Sequence, residues 1–170
     1  MGSGDSILCF DDSLQKQYQE GLKRMQNKWP DCIGFAYFQS YSNTYAPLFI
    51  LKKIYDPFFK DPNIPGVAIA TRADCLNDEI IDYLNSQNKE VWLELGLQSV
   101  HEDTMEKCNR KHSTQIVFDW LDKLKDTNIK TCVHIINGLP GETKQDMLET
   151  VKQIAKHPVD AIKIHMLHLI

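Results

Sequence analysis

The most telling stretch is KTCVHIINGLPGET, residues 130–143. An apolar, β-rich run, Lys130–Ile136, breaks into Asn137-Gly138, passes through Pro140-Gly141, and reaches Thr143. Thr143 and Asp146 have the spacing of a helix capping box, with Asp in place of the usual Glu or Gln. Met147, Leu148, Val151, Ile154 and Ala155 then recur at helical intervals. A strand therefore ends in a glycine-rich turn and gives way at once to a helix. An economical turn explains Gly141 and Thr143. It explains Asn137-Gly138 less well, because glycine at that point also lets a ligand approach bare backbone.

Four further runs share the β-rich character: Gly34–Phe38, Gly66–Ala70, Val91–Leu97 and Ala161–Met166. Several are nearly continuous apolar stretches, a pattern that predicts strands covered on both faces. Helical patterns lie between them. Ser13 is placed to cap a helix carrying Leu14, Tyr18, Leu22, Met25 and Trp29. Ala46–Phe58 forms a second apolar segment, closed off near Pro57 and Pro62. Asn77 precedes Asp78 and Glu79, acids that suit the first turn of a helix with Ile80, Ile81 and Leu84 inside. Ser113 precedes Ile116, Val117, Trp120, Leu121 and Leu124. Strand and helix alternating at this spacing predicts a parallel sheet built from β-α-β units.

The expected fold class is α/β: a partial parallel β/α barrel of about five strands. Residues 6–170 form one domain, and Met1-Gly2-Ser3-Gly4 reads as an expression scar within a disordered 1–5. The first helix has no strand before it and the last strand no helix after it, which suggests a segment of a larger barrel. A net charge of −4 gives no support for a nucleic-acid footprint, although tRNA stays open as a partner of the parent protein. No apolar run reaches the roughly 20 residues of a membrane span. Cys9, Cys32, Cys75, Cys108 and Cys132 are odd in number and contain no C-x-x-C pair, so they read as reduced thiols of a cytoplasmic protein.

Ligands of parallel α/β folds bind where the strands end. The first strand runs into Gln39 and Ser40, the second into Thr71 and Arg72, the third contains Glu94 and runs into Gln98 and Ser99. The fourth contains His134 and runs into Asn137, Gly138 and Pro140. Glu94 interrupts an apolar run, and a buried carboxylate needs a partner. Arg72 or Arg110 could supply a structural ion pair; a hydroxyl-bearing or cationic ligand could supply the alternative. His165-x-x-His168 is weak evidence for a metal, because residues three apart on a strand face opposite sides. No metal ligand is assigned within the chain.

Glu94-Leu95-Gly96-Leu97-Gln98-Ser99, Asn109-Arg110-Lys111-His112 and Ile135–Thr143, in this order and spacing, resemble the radical S-adenosylmethionine (SAM) superfamily. The likeness is to the branch holding oxygen-independent coproporphyrinogen oxidase and the Elongator catalytic subunit. Within it, the bacterial YhcC-type group is similar in Tyr37–Pro47 and in His134–Glu142, and the resemblance covers Ser6 to Ile170. It implies a (β/α)6 core, SAM as cofactor, and a 4Fe–4S cluster whose electron, from a separate donor, cleaves SAM to a 5′-deoxyadenosyl radical.

It also implies roles. Gln39 and Ser40 would meet the SAM amino group, and Thr71, Arg72 and Glu94 would line the cavity. Gln98 and Arg110 would hold the ribose and the methionine carboxylate. Asn137, Gly138 and Pro140 would border the adenine. Coproporphyrinogen oxidase relatives carry an aspartate at the position of His134, a departure at a ribose-contacting position. The family's C-x-x-x-C-x-x-C motif is absent from this sequence. The resemblance therefore implies a cluster in the parent only and an inactive segment. Two other readings stay open: a phosphate-binding, aldolase-type barrel using the turn at Gly138–Thr143, and an interaction module whose exposed sheet edges favour self-association. The substrate is not legible.

Overall fold

The computed structural model describes residues 13–168. The assignment of residues 1–5 as a scar lies outside them. Five parallel strands form one sheet in sequential order: β1 (Ala36–Phe38), β2 (Gly66–Thr71), β3 (Glu90–Gln98), β4 (Lys130–Asn137) and β5 (Ala161–Met166). Among the described residues six α-helices connect or precede them: α1 (Leu14–Gln26), α2 (Leu48–Lys60), α3 (Asp78–Asn85), α4 (Glu102–Lys107), α5 (Thr114–Leu124) and α6 (Lys144–Ile154). The α/β class and the parallel sheet are as the sequence predicts.

The core lies on one face of the sheet. Val67, Ile69, Leu93, Leu95, Val133 and Ile135 alternate along β2, β3 and β4, and all are at most 1% exposed. They share a buried cluster with Leu51, Tyr55 and Phe58 of α2, Ile80 and Leu84 of α3, and Val117 and Leu121 of α5. Phe38 of β1 meets Tyr55 and Phe58 edge-on, at 4.8 and 5.0 Å between ring centroids. Pro57 does not end α2, which runs on to Lys60; the burial of Phe58 and Phe59 outweighs one lost backbone hydrogen bond. Helix α4 has no counterpart in the sequence reading, because EDTMEK offers a single apolar residue and no stripe.

The caps follow the local chemistry. Ser13, Asn77 and Thr143 each accept a backbone N–H from their own first turn. Ser113 does not; Glu102 takes over by accepting the Thr114 N–H. Asn77→Ala is expected to cost about 1 kcal/mol. Thermal unfolding checks this, with a drop in Tm of about 2–4 °C.

The second face departs from expectation. β2, and β4 over Thr131–Val133, are covered on both sides; β3 alternates between fully and partly buried residues. Tyr37, Ala68, Ala70, Trp92, Glu94, Gly96, Cys132, His134, Lys163 and His165 occupy this face by register. The sheet curves around them. Five flat strands would hold β1 and β5 about 19 Å apart. Yet Lys163 Nζ of β5 donates to the Tyr37 hydroxyl of β1 at 2.8 Å. That contact spans the chord of a partial barrel. Among the described residues, no helix is long and apolar enough to cross a membrane.

Candidate functional site

The concave face opens into a hollow of about 480 Å³ at the C-terminal ends of the strands. Gln39, Ser40, Thr71, Arg72, Glu94, Gln98 and His134 line it. Tyr41 and His165, both at strand ends in the sequence, line it too, and Tyr37, Gly96 and Lys163, from within their strands, join them. Ser40, Tyr41 and Gln98 adopt left-handed backbone, with φ of 69°, 64° and 62°. At Gly96/Gln98 the register between β3 and β4 shifts. The Gln98 carboxamide lies back over Gly96, where a Cβ would sit 2.5 Å from its nitrogen. The irregular backbone thus directs a polar side chain into the hollow.

Glu94 is the electrostatic centre. Its carboxylate accepts from the Tyr37 hydroxyl at 2.6 Å and lies 2.7 Å from His134 Nε2. A carboxylate only accepts, so Nε2 carries the proton. Lys163 Nζ stands 3.5 Å away and also over the Tyr37 ring, 4.8 Å from its centroid. Neither Arg72 nor Arg110, the partners weighed from sequence, meets Glu94. Burial alone would push the Glu94 carboxyl up. Hydrogen bonds from His134 and Tyr37, with the charge of Lys163, outweigh it and hold the group at about 2. Ala68 and Ala70 occupy the same face on β2 and leave room for the phenol to cross from β1 to β3. Cys132, directly opposite Glu94 on β4, is pushed up to about 11 chiefly by burial. Burial, then the neighbouring His134 and Lys163, lowers His165.

Five expected residues do not line this hollow, and most are engaged elsewhere. Arg110 is 9% exposed, and its guanidinium donates to the carbonyls of His112, Leu97 and Ser99, to Thr114 Oγ1 and to Glu102. No donor is left for a ligand carboxylate. Ser99 is buried, donates to Glu142 and receives the His101 N–H. The Asn137 carbonyl accepts from Leu167 N–H at 2.9 Å, and Gly138, at φ 87°, faces Leu167. Pro140 is exposed on the following turn. Within the hollow, Thr71 shares a 2.6 Å hydrogen bond with Thr44, and Arg72 is clasped by Asp74 at 2.9 and 2.6 Å. At the turn of the aldolase-type reading, Thr143 is already engaged. The Asp146 carboxylate accepts from both the Thr143 N–H and its hydroxyl.

A 4Fe–4S cluster needs several thiolates. Among the described residues, the one group of three or more metal-ligating side chains is Glu94, Cys132 and His134, with a single sulfur. The residues present do not fit that cluster. Carboxamide, hydroxyl and carboxylate groups around the hollow do suit a zwitterionic nucleoside.

A sequence model of the radical SAM superfamily matches residues 17–154. Over 99% of its length the chain is 42% identical to YtqA, an uncharacterised protein of Bacillus subtilis, and covers 53% of it. With protein YhcC of Escherichia coli it shares 38% identity, over 79% of this chain and 45% of the other. Among solved structures, archaeal Elp3 of Methanocaldococcus infernus superposes with a TM-score of 0.76. That likeness, at 17% identity over 93% of this chain and 42% of that one, speaks to the fold. The chain spans about half the length of the curated relatives it matches.

Proposed function

The chain belongs to the radical SAM superfamily, and on that premise we propose that it is the SAM-facing part of a radical SAM enzyme's barrel core. The carrying observation is the convergence of Gln39, Ser40, Glu94, Gln98 and His134 on one hollow at the strand ends. The cofactor, when bound to a reduced cluster, supplies a 5′-deoxyadenosyl radical. Here the backbone around Ser40 would receive the amino group, and the Gln98 carboxamide would reach a ribose hydroxyl. Glu94, held ionised and flanked by His134 and Lys163, would fix polar groups deeper in the hollow. Arg110 stays outside this set, so a methionine carboxylate must be met by another group.

The cluster's thiolates belong, on this reading, to sequence outside the chain, for its five cysteines lack the required spacing. Anaerobic iron–sulfur reconstitution is the test. The chain alone is expected to hold no stable cluster. A longer form of the protein, spanning the full length of relatives such as YtqA, is expected to hold one and to release 5′-deoxyadenosine on reduction. A cluster on the chain alone, or no nucleoside from the cluster-loaded longer form, overturns the proposal.

A further inference from the structure

Cys132 has no part in the SAM reading. It is 6% exposed, yet it sits on the concave, polar face rather than in the apolar core. Glu94 is its register partner on β3, and His134 is the next residue on the same face of β4. Their ligand atoms all lie within 4.8 Å of one another. We propose that Glu94, Cys132 and His134 bind a divalent cation of the zinc class, with one coordination position open toward the hollow.

The donor set selects the ion. One thiolate, one imidazole and one carboxylate suit Zn²⁺ or Co²⁺; magnesium and calcium favour oxygen alone. Three protein ligands with an open fourth position is the arrangement of a reactive rather than a structural zinc. The scaffold is rigid, since all three residues stand on two hydrogen-bonded strands. Tetrahedral bonds of about 2.0–2.3 Å separate donors by roughly 3.3–3.8 Å. The 2.7 Å gap between His134 Nε2 and Glu94 Oε2 therefore opens by less than about 1 Å. Coordination releases the Cys132 thiol proton to solvent and leaves the imidazole neutral, its proton on Nδ1. The His165 ring, 5.3 Å from that of His134, stands beside the site without entering the group of ligand atoms. Lys163 supplies positive charge to Glu94 in the metal-free chain. Its side chain is 38% exposed, so it can turn outward when a stronger cation arrives.

Co²⁺ titration of the whole chain, under reducing and chelator-free conditions, tests this independently of SAM. One equivalent is expected to raise a sulfur-to-cobalt charge-transfer band and the visible bands of tetrahedral cobalt, and Zn²⁺ is expected to bleach both. Cys132→Ser should abolish the charge-transfer band. His134→Ala should weaken binding by at least the ~10–100-fold that even an outer partner of a metal ligand contributes. Lys163→Met, which removes the competing ammonium, should tighten it. A variant with Cys9, Cys32, Cys75 and Cys108 changed to Ser should keep the band. Absence of the band in a chain that circular dichroism shows to be folded sinks the proposal. So does a band that survives Cys132→Ser, or weaker binding in Lys163→Met.

Discussion

Arg110→Ala is expected to destabilise the fold by about 3 kcal/mol, the low end of the 3–5 kcal/mol seen when one partner of a buried ion pair is removed. The guanidinium ties three segments together. It holds the carbonyls of Leu97 and Ser99 at the end of β3, the carbonyl of His112, and Thr114 Oγ1 at the start of α5. Removing it strands these acceptors in a site where Ser99 is 1% and Thr114 7% exposed. The low end applies because the other ionic partner, the Glu102 side chain, is 55% exposed and recovers water. Thermal unfolding should register a fall of about 6–12 °C. Arg110→Lys should restore only part of it, since an ammonium lacks the planar fork that serves five acceptors. If Arg110 instead held a ligand carboxylate, Arg110→Ala would weaken that ligand and leave unfolding nearly unchanged. That outcome would reverse the structural assignment.

Arg110, expected at the ligand from sequence, ties the end of β3 to the start of α5 in the structure. The five strands are visible as short β-branched and aromatic runs, and the helices as apolar stripes behind capping residues, because both signals are local. Glu94 was also visible, as a carboxylate inside an apolar strand. Its partners were not. Tyr37, His134 and Lys163 come from β1, β4 and β5, and they meet only because the sheet curves, a property no single segment encodes. Likewise the irregular backbone at Gln98, which turns carbonyls of β3 toward Arg110, follows from pairing with β4. Lys163 and His165 did carry a signal. They stand two apart on β5, hence on one face, whereas His165 and His168, three apart, drew attention for their chemistry and not their geometry.

Gly66→Ala should be the second severe substitution, at about 2–3 kcal/mol, within the range of overpacked cores. A Cβ at this position would lie 2.2 Å from Phe35 Cε1 and 2.5 Å from the Glu90 carbonyl oxygen. These two obstacles differ in kind. The Phe35 ring is 38% exposed and can swing into solvent. The Glu90 carbonyl belongs to the neighbouring strand, in register with Gly66, and cannot retreat without disturbing the β2–β3 ladder. The carbonyl should therefore set most of the cost. A double-mutant comparison separates the two: Phe35→Ala should recover little of the stability lost by Gly66→Ala. Full recovery would identify the ring as the obstacle, and a Gly66→Ala protein within about 0.5 kcal/mol of the parent would remove the argument altogether. The consequence reaches the hollow. Ala68 and Ala70 follow on the same strand and form the small-residue floor over which Tyr37 reaches Glu94. A shifted β2 should lengthen that hydrogen bond, so Gly66→Ala should also weaken the SAM binding proposed for the hollow.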